Sequence, residues 1–415
     1  MVLQQLLISI REWKERAEEI RKSAVLRDHT ILLPKERALA VIGVRRCGKT
    51  WAAIQCAYQV SEKVLYYNFE DPLFLGGGST HSLDELLTLY KEEYGHSPEV
   101  IVLDEIQNVN GWERWVRKQI DLNRYQIIVT GSSSRMLSTE LATSLTGRVK
   151  VLNLWPLSFK EVLDFEKKTH SDLLSEFGRY LKWGGFPKVV HTQEENERVD
   201  LLQQYLYDII SKDVVARNEI RNRKALDQLV GWYFNNASCL HSYSSIQKAF
   251  DIPTRTSSDL TRFLNEAFLV FEVNRYHLNL KVQTRDPKKV YVIDMGMRNV
   301  IIRADRMDRG RQTENAVFLE LCRRKSEISY FKGKGEVDFV LTHLGKPLQA
   351  IQVCDANLEN EATEKREINS LLECLKTLKL REGLILTRNL RETRKFEGYT
   401  IQCLPVHEWI MRDGS

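Results

Sequence analysis

One segment constrains this chain more than any other: Gly43-Val44-Arg45-Arg46-Cys47-Gly48-Lys49-Thr50. It fits the spacing GxxxxGK(S/T) at every fixed position. It follows the apolar run Leu39–Ile42 and opens a helical stretch near Trp51. In that context backbone N–H groups can wrap phosphate oxygens while a helix N-terminus adds a favourable dipole. Gly43, Arg45, Arg46, Cys47, Gly48, Lys49, Thr50 and Trp51 are therefore expected to line a nucleoside triphosphate. Lys49 would reach the β- and γ-phosphates, and the Thr50 hydroxyl would ligate Mg²⁺.

The surrounding pattern agrees. Short apolar runs at Leu39–Gly43, Val64–Phe69, Val100–Leu103 and Gln126–Thr130 alternate with helical stretches. That alternation predicts an α/β fold with a parallel sheet buried on both faces. Val100–Leu103 ends in Asp104-Glu105, which places Asp104 at the C-terminal edge of the sheet, where it can hold the Mg²⁺ shell. Glu105 is then positioned to orient or deprotonate the attacking water. The run Ile127-Ile128-Val129 leads into Thr130-Gly131-Ser132-Ser133. Thr130, Ser132 or Ser133 could sense the γ-phosphate, or the segment could be an ordinary Gly-Ser loop.

A length of 415 residues predicts two or three domains. The pattern divides into an α/β block over 1–165, a mostly helical block over 166–310 and a mixed block over 311–415. Seven widely spaced cysteines without a CxxC pair argue against a disulfide framework or structural zinc. Nine histidines show no ligand spacing. The N-terminal apolar positions repeat at helical spacing and are too few to span a membrane. The expectation is a soluble, cytoplasmic protein with no membrane partner.

In the middle block, Tyr243–Phe250 and Ser257–Glu266 read as two helices joined by a turn, followed by strand-like runs at Leu269–Tyr276 and Lys289–Ile293. That is the outline of a winged helix-turn-helix. Between Lys224 and Arg311, 14 Lys and Arg stand against 9 Asp and Glu, so the basic surplus of the chain falls here. Arg255 and Arg262 on the second helix, with Lys281, Arg285, Lys288 and Lys289 in the wing, are the candidate DNA contacts. A protein-docking or lid element with a solvated basic face is the alternative.

Taken in order, these segments resemble a prokaryotic, archaeal-type family of AAA+ ATPases carrying a C-terminal nuclease-like domain. Added to the loop and to Leu103-Asp104-Glu105-Ile106-Gln107 are Leu145-Thr146-Gly147-Arg148, Gly184-Gly185-Phe186-Pro187 and Asp294-Met295-Gly296-Met297-Arg298-Asn299. The resemblance implies ATP as the nucleotide. It also implies a phosphate-contacting role for Arg148, in its own subunit or in a neighbour's, where the alternative is a surface arginine paired with a carboxylate. For residues 311–415 it implies a degenerate PD-(D/E)xK restriction-endonuclease-like core. Glu314 and Asp338 would be its acids, with simple structural acids as the alternative, but Gln352 stands where a metal-binding Glu is required and Cys354 where the lysine is. An amide ligates a hard cation poorly and a thiol carries no positive charge, so that site is expected to be inactive. The expected function is a Mg²⁺-dependent ATPase coupled to DNA binding or remodelling, with a homo-oligomer and a protein partner both open. The alternatives are an ATP-gated DNA-binding switch with little turnover, a protein-interaction ATPase and, last, an ATP-driven nuclease.

Overall fold

The computed structural model describes residues 2–22, 27, 32–74, 77–132, 145–167, 172–302, 308–356, 358 and 360–412. The chain divides into two compact units, Met1–Leu154 and Trp155–Ser415.

The first unit is built on five parallel strands: β1 (Ala38–Ile42), β2 (Val64–Asn68), β4 (Val100–Asp104), β6 (Gln126–Gly131) and β7 (Val149–Asn153). Their order is β2-β4-β6-β1-β7. β1 and β4 are buried at every position, as their uninterrupted apolar sequences require of strands covered on both faces. A two-stranded parallel pair, β3 (Gly78–Ser79) with β5 (Val109–Asn110), ties the segment after β2 to the segment after β4. The helices of this unit are α1 (Val2–Lys22), α2 (Lys49–Val60), α3 (Thr80–Tyr94) and α4 (Trp112–Asp121). α1 buries Leu6, Ile10, Ala17 and Ile20, a stripe at helical spacing. It is fastened by Ser9 Oγ and Trp13 Nε1, which donate to Asp71 at 2.6 and 2.8 Å.

Because β1 lies inside the sheet with β6 and β7 on either side, the chain reverses its winding there. Ligands of open parallel sheets settle in the crevice beyond the strand C-termini at such a point. The loop from β1 into α2 lies there.

The second unit holds two sheets. The smaller is antiparallel in the order β8-β10-β9, made of β8 (Leu240–His241), β9 (Val270–Val273) and β10 (Lys288–Val292). It accompanies the helices Arg223–Asn235, Tyr243–Phe250 and Thr254–Glu266. The larger sheet has the order β11-β12-β13-β14-β16-β15, from β11 (Glu327–Lys332), β12 (Glu336–His343), β13 (Lys346–Cys354), β14 (Glu382–Thr387), β15 (Glu392–Phe396) and β16 (Tyr399–Pro405). An isolated bridge, Arg275 to Tyr330, joins the segment after β9 to β11. One core cluster takes Phe159 and Phe177, Tyr291 of the smaller sheet, Phe318 of the helix Arg309–Arg323, and Phe339 of the larger sheet. Tyr291 stacks on Phe318 with ring centroids 4.2 Å apart. The segments 166–310 and 311–415 thus share one core. No helix among the described residues is long and apolar enough to cross a membrane.

Candidate active site

The loop after β1 is shaped by close approach. A Cβ on Gly43 would stand 2.0 Å from the carbonyl oxygen of Leu154. Gly48 enters α2 at φ +98°, where any side chain is strained. Arg46 also takes a positive φ of 71°. Cys47 is buried and donates its thiol to Leu154 O at 3.4 Å, so its contribution to a ligand would be its backbone N–H. Arg45 reaches Glu70 at 2.8 Å. Trp51 is partly exposed beneath the Arg16 guanidinium, which stands 5.1 Å from its ring centre. Lys49 is buried, and its ammonium donates to the carbonyls of Gly43 and Val44, both at 3.2 Å. The lysine folds back on its own loop, using donors that a phosphate would otherwise take.

β4 delivers Asp104 to the floor of the site. Thr50 Oγ1 donates to Asp104 Oδ2 at 2.8 Å, Tyr66 OH donates to the same oxygen at 3.2 Å, and Thr130 Oγ1 donates to Asp104 Oδ1. Burial and the neighbouring Glu105 charge push the Asp104 carboxyl up to about 6. A divalent cation would reverse that by supplying positive charge next to the carboxylate. Thr50 and Asp104 offer adjacent hard oxygen donors, the set Mg²⁺ takes when it shares its shell with phosphate. The residues fit the ion.

Glu105 follows at φ 52° and ψ 44°, in the left-handed region. Its N–H donates to Thr130 Oγ1 at 3.1 Å, and its carboxylate lies 3.8 Å from Lys49 Nζ. Gln107 Nε2 donates to the other carboxylate oxygen at 2.5 Å. Thr130 therefore bridges Asp104 and Glu105 directly. Ser132 is buried beside it; Ser133 lies outside the described residues.

Arg148 is not brought to this cluster. It precedes β7, and Ala38, the first residue of β1, donates its N–H to Arg148 O at 2.9 Å. The parallel pairing of Ala38 with Val149 puts Arg148 at the N-terminal edge of the sheet, whereas the loop of residues 43–50 sits at the C-terminal edge. Its guanidinium donates to Asp121 at 2.6 Å. That geometry sets Arg148 away from the loop of residues 43–50.

In the second unit, Arg255, Arg262, Lys281 and Arg285 are exposed. Lys281 and Arg285 lie on a short helix, Leu280–Arg285, rather than an extended wing. Arg262 pairs with Glu266 at 2.8 Å, and Lys288 is tied to Glu272 at 3.0 Å. Lys289 corrects the sequence reading. It is only 2% exposed and cannot touch DNA. β10 is buried on both faces from Lys289 to Val292, and the Lys289 ammonium meets Asp338 at 2.7 Å, Glu314 at 2.9 Å and Glu336 at 3.0 Å.

That lysine meets the two acids that the sequence assigned to a nuclease-like site. Glu314 and Asp338 do converge, but on an ammonium. Tyr291 OH also donates to Glu314 at 2.7 Å. Gln352 accepts from the Asp338 N–H at 3.2 Å and donates to Glu367 at 2.7 Å. Cys354 packs into an apolar cluster with Ile368 and Leu371. Among the described residues no group of His, Cys, Asp and Glu is arranged to hold a metal ion. Sequence reasoning missed Glu336, Tyr66 and the inward turn of Lys289. Only the unbroken apolar run Val290-Tyr291-Val292 after Lys289 carried a signal for the last, because a strand buried on both faces leaves no solvent side.

Residues 35–163 match the family described as AAA domain, and residues 174–308 match a domain of unknown function. The chain is 35% identical over 422 residues to an uncharacterized protein of Methanocaldococcus jannaschii, covering 95% of this chain and 93% of that one. This chain belongs to that family, with an AAA domain. An uncharacterized protein of Haemophilus influenzae is 28% identical, over 90% of this chain and 94% of its own. The AAA match agrees with the parallel sheet and with nucleotide binding at the glycine loop. A structure of C. elegans PCH-2 is similar at 15% identity over 62% of this chain and 66% of that one, with a TM-score of 0.24, too slight a likeness to define the fold.

Proposed function

We propose that the AAA domain hydrolyses ATP with Mg²⁺, and that the second unit serves as a nucleic-acid-binding partner to it rather than as a nuclease. The observation that carries the first part is the cluster of half-buried Thr50 with buried Asp104, Glu105 and Thr130 beside Lys49 at the strand C-termini. Mg²⁺, when bound, would neutralise developing phosphate charge. Lys49 would leave its loop carbonyls for phosphate oxygens, and Thr50 and Asp104 would hold the metal. Glu105 would accept the proton of the attacking water.

The test compares ATP and GTP turnover by the natural protein and by Glu105→Gln, with duplex, single-stranded and branched DNA added in turn. Turnover should fall roughly 100-fold or more in the variant, with nucleotide affinity kept. Equal turnover in both proteins would sink the assignment of Glu105.

For the second unit, support comes from the chain order helix, β8, helix, helix, β9, short helix, β10, which suits a winged helix-turn-helix. The exposed Arg255, Arg262, Lys281 and Arg285 suit backbone contact with DNA. Salt-dependent duplex binding that weakens when these four are changed to Ala is the expected result. Binding unaffected by the four changes would favour the protein-docking reading. Lys289 in the carboxylate cluster argues against DNA cleavage, and Mg²⁺ or Mn²⁺ should elicit none.

A further inference from the structure

Gln107 closes the motif Leu103-Asp104-Glu105-Ile106-Gln107, and none of the chemistry above uses it. Its amide sits in an asymmetric position. Nε2 donates to Glu105 at 2.5 Å. Oε1 is buried and has no hydrogen-bond partner among the described residues. An ionised Glu105 can only accept, so the amide must present its nitrogen to the carboxylate and its oxygen away from it. A buried carbonyl without a donor is costly and uncommon, and calls for an explanation at the site where it occurs.

The backbone fixes this arrangement. Ile106–Asn108 form a 3-10 turn closed by Asn108 N–H donating to Glu105 O at 3.2 Å. Asn108 Nδ2 donates to Phe69 O at 3.1 Å, and the chain then enters β5, paired with β3. Gln107 is therefore held on a short tether between two fixed points and directed back at Glu105. Gln107 Oε1 belongs to the same planar amide as the nitrogen that holds Glu105, so the two acceptors, the carboxylate and this carbonyl, lie within reach of one small donor. Water, with two O–H bonds, is the ligand that satisfies both.

We infer that Gln107 is a catalytic residue that holds the attacking water. This rests on the ATPase reading above. One O–H of the water points to Glu105 and the other to Gln107 Oε1, which leaves an oxygen lone pair free for the γ-phosphorus. The water oxygen bonds to that phosphorus while the bond from phosphorus to the β–γ bridging oxygen breaks. The electron pair of that bond leaves on ADP, and the water proton passes to Glu105. The Gln107 Nε2 donor fixes the rotamer of Glu105 so that its other oxygen takes the proton.

The experiment uses the full chain and two variants, Gln107→Leu, which keeps the bulk and removes both amide groups, and Gln107→Asn, which keeps the amide on a shorter arm. For each, kcat, KM, thermal midpoint and retention of ADP with aluminium fluoride through gel filtration are measured. Gln107→Leu should lose kcat roughly 100-fold, with KM within about 3-fold and the midpoint unchanged. It should still bind ADP but fail to retain the aluminium fluoride complex that the natural protein retains. Gln107→Asn should fall in between. A kcat within about 3-fold of the natural protein in Gln107→Leu overturns the inference and leaves the ATPase reading standing. So does a loss of kcat accompanied by an equal loss of ADP binding and a lowered midpoint in both variants, because that marks a structural residue. A natural protein that binds no ATP, or binds it without turnover, removes the ATPase reading and this inference with it.

Discussion

Glu105 holds a backbone conformation that a residue with a side chain adopts at a cost of about 1–3 kcal/mol. Thr130 is what sustains it. Its hydroxyl oxygen accepts from the Glu105 N–H at 3.1 Å while its proton goes to Asp104. One side chain thereby positions both acids, Asp104, proposed to hold the metal, and Glu105, proposed to take the proton of the attacking water. Thr130→Val keeps the shape but strands a buried N–H and removes a donor to a buried carboxylate. The expected loss is about 1–3 kcal/mol of stability, read by urea unfolding, and a fall in ATP turnover of roughly 10-fold. Thr130→Ser should restore both. A Thr130→Val protein as stable and active as the natural one would remove Thr130 from the site. The sequence offered Thr130, Ser132 or Ser133 as a phosphate sensor, or the segment as an ordinary Gly-Ser loop, because spacing alone does not say which neighbour a strand-end hydroxyl meets.

At the scale of elements, four strands of the first sheet were legible because each carries an unbroken apolar run, and only β7 was missed. Its sequence Val149-Lys150-Val151-Leu152-Asn153 is partly exposed, as an edge strand permits. The second unit was harder to read for a different reason. β10 begins Lys288-Lys289, which looks like a basic wing until one lysine is seen pointing among three acids contributed from far along the chain. Removing that lysine should be severe: Lys289→Met leaves Glu314, Glu336 and Asp338 without their shared cation. A destabilisation of about 3–5 kcal/mol is expected, with part recovered in the Lys289→Met, Glu314→Gln double variant. No loss in calorimetry would mean that solvent reaches the cluster. A second buried acid gives this unit a pH dependence. Asp294 caps the helix Met295–Ile301 through the Met297 N–H at 2.9 Å and also accepts the Gly185 N–H at 2.7 Å. Burial pushes its carboxyl up to about 6, against those two bonds. Because the folded form holds the proton more tightly than the unfolded one, stability is greatest below the ordinary Asp range. It falls as pH rises from about 4 to about 6, by about 3 kcal/mol in total, and is level above that. Asp294→Asn should flatten that window in pH-dependent unfolding, with a constant offset for the acceptor lost. An unchanged slope would assign the window to another group.

For the molecule as a whole, the placement of Arg148 has the widest consequence. The nucleotide loop and Arg148 occupy opposite edges of one parallel sheet, which sets this arginine away from a γ-phosphate held by its own loop. The Arg148–Asp121 pair is half-exposed on both sides, and an exposed pair of that kind holds its partners only weakly. The guanidinium is thus available to another molecule at little cost. If the arginine serves catalysis, it does so across an interface between copies in which one subunit's strand N-termini face the next subunit's strand C-termini. Such a contact is heterologous and closes into a ring or extends into a filament. Mixing two inactive variants tests this. Arg148→Ala keeps an intact nucleotide loop and lacks the arginine; Lys49→Ala lacks the loop lysine and keeps the arginine. Each alone should turn over ATP roughly 100-fold or more slowly than the natural protein, with Arg148→Ala still binding nucleotide. Mixed in equal amounts above the assembly concentration, the two should recover a substantial share of the natural rate, and the recovery should vanish on dilution. Full activity of Arg148→Ala alone would return this arginine to the role of a surface partner for Asp121. An inactive Arg148→Ala that no mixture rescues would equally sink the idea that it works across subunits.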